Sequence, residues 1–150
     1  MARYLTSTDQ NVALNGTIPF DIVSIPCRKG CVIPLATGVL TLRSGQNAPA
    51  KYDVTLQANV AIPESGAITP IALAITINGV PIPDSVAIVT PAAAEEFWHI
   101  STTQPITVPC GCCVSVSAAY VDATEDDASV TPTPSVLVRR NASLTPVRTA

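Results

Sequence analysis

Fourteen prolines and seven glycines are spread along the 150 residues of this chain. A proline inside a helix removes a backbone donor and clashes with the preceding turn, so punctuation at this density leaves no room for long helices. A helical bundle is excluded on that ground. Between the prolines the sequence alternates. Val54, Leu56, Ala58 and Val60 interleave with Thr55, Gln57 and Asn59, the period of a strand with one buried face. Ile71, Leu73, Ile75 and Ile77 interleave with the smaller Ala72, Ala74 and Thr76, which suits a strand covered on both sides. Asn78-Gly79 follows, the pair best able to take the positive φ angles of a two-residue hairpin turn. The returning strand starts at Val80, and Pro81 and Pro83 mark it as an edge or bulged stretch.

Further strands are expected at residues 18–25, 38–43, 96–101, 106–108 and 114–121, and Val136, Val138, Ala142 and Leu144 close the chain as one or two final strands. Residues 91–96 read as a loop, and Thr131-Pro132-Thr133-Pro134 as a stiff connector. About nine or ten short strands, spaced by about 8–12 residues, describe a β-sandwich or barrel. There is neither an internal repeat nor a second zone of composition. The chain reads as one all-β domain, with a core over residues 38–150. Residues 1–37 form either its first strands or an attachment arm.

Composition narrows the function. Charged residues make up 13% of the chain, the net charge is −3, and the basic residues are scattered apart from Arg28-Lys29 and Arg139-Arg140. Nucleic-acid binding needs a dense positive face, so no nucleic-acid partner is expected. No apolar run approaches the roughly 18–20 residues that cross a bilayer, so no membrane partner is expected either. Residues 1–10 lack the apolar stretch of a secretory signal, and synthesis in a host cytoplasm is the expectation.

Reaction chemistry finds little to work with. His99 is the one histidine, in alternation with Phe97 and Ser101 as a surface or interface strand residue would be. A triad needs a nucleophile and an orienting carboxylate around it, and there is no Gly-x-Ser-x-Gly elbow. No enzyme activity and no catalytic residue is expected. The five cysteines form two clusters, Cys27/Cys31 and Cys110/Cys112/Cys113. Zinc would want four such ligands in a tetrahedron, but adjacent Cys112 and Cys113 in a strand point to opposite faces. One of that pair is expected in the core as a small hydrophobe. Simple thiols are the favoured state, a disulfide the next and a metal site the last, so no metal or other cofactor is expected. The acidic residues 122–127 lack calcium-loop spacing and read as a solvated loop. Asn141-Ala142-Ser143 fits a glycosylation sequon only by coincidence in a chain with no secretory route.

Several segments resemble, in order, the C1q/TNF-like jelly-roll family. They are Gly38-Val39-Leu40-Thr41-Leu42 with residues 52–60, then Leu73 through the Asn78-Gly79 hairpin to Pro83. The turn Val108-Pro109-Cys110-Gly111-Cys112-Cys113-Val114-Ser115-Val116 and the closing residues 141–148 follow. The Pro-Cys-Gly-Cys-Cys version is most similar to small proteins of phages and prophages of Gram-positive bacteria, related to the heads of exosporium collagen-like proteins. The resemblance spans roughly residues 38–148. It implies a jelly-roll β-sandwich assembled as a homotrimer. The 47% hydrophobic content points the same way. A domain of this size buries about 68–70% of its unfolded surface, and the apolar surplus is expected as exposed patches that copies would cover. The expected function is that of a virion structural protein: a trimeric capsid decoration, cement or head-fibre protein whose partners are its own copies and the major capsid protein. The alternative is a head that binds a host receptor or a glycan, with Trp98 and Tyr120 as the aromatic rings on which a sugar would stack.

Overall fold

The computed structural model describes residues 3–6, 9–20, 22–25, 31–32, 39–44, 47–63, 70–111, 113–121, 135–138 and 142–149. Strands account for nearly all of its regular structure. They are β1 (Arg3–Leu5), β2 (Gln10–Ala13), β3 (Ile22–Ile25), β4 (Cys31–Val32), β5 (Leu40–Arg43), β6 (Ala50–Ala61), β7 (Ile71–Ile77) and β8 (Val80–Pro81). After a 3-10 turn at Pro83–Ser85 come β9 (Ala87–Val89), β10 (Trp98–Val108), β11 (Cys113–Val121), β12 (Ser135–Val138) and β13 (Ser143–Arg148).

Every ladder is antiparallel, and the strands form two sheets. In the first, β6 is flanked along its whole length by β10 on one edge. Its other edge meets β13 and then β12, and beyond them lie β1 and β2, with β3 outermost. The second sheet runs β4, β5, β11, β7, with β8 and β9 sharing the last edge. From β5 onward the chain crosses between sheets at five of the eight connections between these strands. Nested crossings of this kind make a jelly-roll β-sandwich.

The alternation read in the sequence explains the core. In β6, Ala50, Tyr52, Val54, Leu56, Ala58 and Val60 are buried while Lys51, Gln57 and Asn59 are exposed. They meet Leu40, Leu42, Leu73, Ile75, Val116 and Tyr120 from the second sheet in one continuous cluster. As the alternation of isoleucine with alanine requires, β7 is buried on both faces from Ile71 to Thr76. Its small side chains form a second cluster, Ala72 and Ala74 with Ala119 and Val121 of β11, against which Val86 packs.

Four details differ from the sequence reading. The strands expected at 96–101 and 106–108 are one strand, β10, which runs through Pro105. Among the described residues β10 has a ladder partner on one side only, and a residue with no N–H suits the other side. The returning arm of the Asn78-Gly79 hairpin breaks into β8, the 3-10 turn and β9, since neither Pro81 nor Pro83 has an N–H to donate to the β7 edge. Tyr120 is fully buried, in phase with Val114, Val116 and Ala118, and offers no ring to a ligand. Finally, the apolar surplus does not reach the surface among the described residues. Among the described residues only Val80, Ile88 and Trp98 are exposed large hydrophobics, and they lie on separate strands. Two sheets of mostly small and branched side chains absorb the rest, partly in the second cluster outside the sandwich interior.

Candidate functional site

The outer face of the first sheet is set by the residues out of phase with the core. The ladder between β6 and β10 places Asn59 opposite His99, Gln57 opposite Ser101, Thr55 opposite Thr103, Asp53 opposite Pro105 and Lys51 opposite Thr107. On the other side of β6, Ser143, Thr145 and Val147 of β13 stand opposite Gln57, Thr55 and Asp53. The result is a row of three threonines, Thr103, Thr55 and Thr145, with serine and glutamine alongside. Thr55 and Thr103 share a hydroxyl hydrogen bond of 3.0 Å, and His99 Nδ1 lies 3.3 Å from Asn59 Oδ1.

Among the described residues of β10, β6 and β13 this face carries little charge. Asp53 and Lys51 sit towards one end of it, and from Thr55 to Asn59 neither β6 nor its ladder partners bring a carboxylate or an amine. A solvated sheet face ordinarily carries Lys, Glu, Arg and Asp at about a quarter to a third of its positions. Depletion of charge together with retained hydrogen-bonding groups marks a surface that can be covered without stranding an ion.

His99 is exposed and touches an amide, with no nucleophile or carboxylate in the described contacts of its ring. Trp98 is 43% exposed at the start of β10, and its indole N–H donates to Glu96 Oε1 at 3.1 Å. That bond fixes the ring at the rim of the sheet. Of the two aromatic residues singled out for sugar stacking, Trp98 alone is available.

Cys110 is an exposed free thiol, and Cys113 is exposed as well. Cys113 opens β11, so it is not the core member of its pair, and Cys112 lies outside the described residues. In the register, Cys31 is opposite Leu42 and Cys113 is opposite Arg43, so β5 runs between them. Two strand spacings of about 4.8 Å put their backbones beyond the roughly 7 Å limit for a disulfide. Cys27, the acidic residues 122–127 and Asn141 lie outside the described residues. Among the described residues no three His, Cys, Asp or Glu side chains gather as metal ligands would.

The threonine row was the feature hardest to find in the sequence. The polar half of β6 was visible as alternation, but its alignment with Thr103 and Thr145 depends on pairings between residues 48 and 90 positions apart.

No protein-family model matches the chain, and no curated protein matches it. Among solved structures it is similar to the C-terminal domain of EclA, a sugar-binding protein. The two share 16% identity with a TM-score of 0.39, over 94% of this chain and 79% of that one. A likeness this distant transfers no residue's role.

Proposed function

We propose that this chain is a jelly-roll adhesion head that assembles as a homotrimer through the outer face of its β10–β6–β13 sheet, and that it holds surfaces together without turning over a substrate. The reading rests on one observation, the row of Ser, Thr, Asn and Gln side chains centred on Thr55, with little charge among the described residues of β10, β6 and β13. Burial of leftover apolar surface is not the driving force, because the described residues expose too little of it. A hydroxyl-rich face associates instead through many individually modest hydrogen bonds and bridging waters. The C1q/TNF-like resemblance of residues 38–148 supports three copies, and its phage-type motifs favour a virion as the setting, with the trimer fixed to the capsid.

A charge placed in the threonine row tests the interface. Thr103→Lys puts three ammonium groups into the proposed contact, and the variant is expected to elute as single chains with an unchanged circular dichroism spectrum. Retention of the wild-type elution volume would refute the assigned face. For the setting, purified protein added to capsids that lack it is expected to raise their resistance to heat. A glycan- or receptor-binding head is favoured by the pinned, exposed Trp98, and in that case free protein would block infection instead.

A further inference from the structure

On the opposite sheet the chain forms a cleft of about 270 Å³, lined among others by Asn15, Thr17, Thr76, Pro81, Ser117 and Val121. Its floor is the outer face of β7 and β11, where Thr76 stands opposite Ser117. Both walls are tied down by backbone bonds. On one side, Asn15 N–H donates to Tyr120 O at 2.8 Å, Tyr120 N–H to Gly16 O at 3.2 Å and Ile18 N–H to Ala118 O at 2.9 Å. On the other, the hairpin is held by Asn78 N–H to Ser115 O at 2.8 Å and by Ser115 N–H to Asn78 Oδ1 at 3.2 Å. The cleft therefore exists before any ligand arrives.

Its chemistry is specific. Among the described residues its lining holds no lysine, arginine, histidine, aspartate or glutamate, and its polar groups are neutral donors and acceptors. Thr76 and Ser117 are 3% and 6% exposed, and their hydroxyls are hydrogen-bonded to each other. Two hydroxyls bring two protons, and only one can lie between the two oxygens. The other proton has no acceptor among the described residues. At the rim, Asn15 adds an amide donor and acceptor and Thr17 a third hydroxyl, while Pro81, Ala119 and Val121 offer C–H surface. Drug-sized pockets run from about 300 to 1,000 Å³, so this one holds a single small ring.

We propose that this cleft binds one residue of a neutral saccharide: its hydroxyls take the spare Ser117/Thr76 proton and the Asn15 amide, and its C–H face rests on Pro81 and Val121. The proposal is independent of the trimer interface, which lies on the other sheet.

The test is an amide NMR titration of the full-length protein with millimolar glucose, galactose, mannose, N-acetylglucosamine and fucose, with glucuronate as a charged control. At least one neutral sugar is expected to shift the amides of Asn15, Thr17, Thr76, Gly79, Ser117 and Ala119. Ala119→Leu, which fills the floor, is expected to abolish those shifts. Thr76→Val, which keeps the shape and removes one hydroxyl, should weaken binding by about 2–10-fold, the worth of one hydrogen bond. The dispersion of each variant's own spectrum reports that it is folded. No response to any neutral sugar, a response to glucuronate alone, or shifts centred on Trp98 and unmoved by Ala119→Leu would each overturn the proposal.

Discussion

Ser85 is small and polar, yet it is fully buried in the proline-broken arm of the hairpin. On that edge of β7, β9 covers Ile71 to Leu73 and β8 covers Thr76 and Ile77. Between them Ile75 has no strand partner, and the 3-10 turn fills the gap. Ile82 N–H donates to Ile75 O at 2.9 Å, and Ile75 N–H donates to Ser85 Oγ at 3.0 Å. The same hydroxyl reaches Ile82 O at 2.7 Å. Ser85→Ala leaves both carbonyls with a backbone donor, because Ser85 N–H still reaches Ile82 O. It deprives only the Ile75 amide. One buried amide without a partner costs about 1–3 kcal/mol. For a chain of this length each kcal/mol moves Tm by about 2–4 °C, so a loss near 2 kcal/mol lowers Tm by about 4–8 °C. Urea unfolding followed by circular dichroism measures the free energy directly, with Thr90→Ala, at an exposed position after β9, as a control expected to stay within about 0.5 kcal/mol of wild type. If Ser85→Ala matches that control, the hydroxyl does not bridge the gap and this account of the broken hairpin is wrong.

Two other perturbations address the sandwich. Leu56 is fully buried at the centre of β6, and Leu56→Ala is expected to cost about 2–5 kcal/mol by the same urea assay. Tyr4 is buried against the core, and desolvation raises its pKa above the ordinary 10.0. The folded protein then keeps a proton that the unfolded chain loses, so this contribution is complete below about pH 10 and fades as pH rises through and beyond it. Stability should fall there by up to about 1.4 kcal/mol per pH unit from this group, and Tyr4→Phe should flatten that part of the alkaline slope.

Fold class could be read from the chain because each strand states its own buried face. The alternation in residues 54–60 and 71–77 and the Asn78-Gly79 turn are local features, and the structure places all three as read. Asn78 and Gly79 both take positive φ, 52° and 83°. What stayed hidden depends on partners. Pro105 interrupts a strand pattern, and β10 continues through it where the described residues give it a ladder partner on one side only. Tyr120 read as a surface ring because of its type, although its phase with Val116 and Ala118 already pointed it inward. The apolar surplus misled because hydrophobic percentage does not distinguish alanine from larger side chains. Much of this chain's apolar content is Ala72, Ala74, Ala118, Ala119 and similar residues, which two sheets bury with little left over. The threonine row and the cleft both require registers between distant strands, so neither has a local mark in the sequence.

Sedimentation equilibrium of the intact protein over a range of concentrations tests the central claim most directly. The account predicts a mass of three chains that persists on dilution and in high salt, because the contact face around Thr55 carries almost no charge for salt to screen. A single-chain mass at every concentration would contradict it.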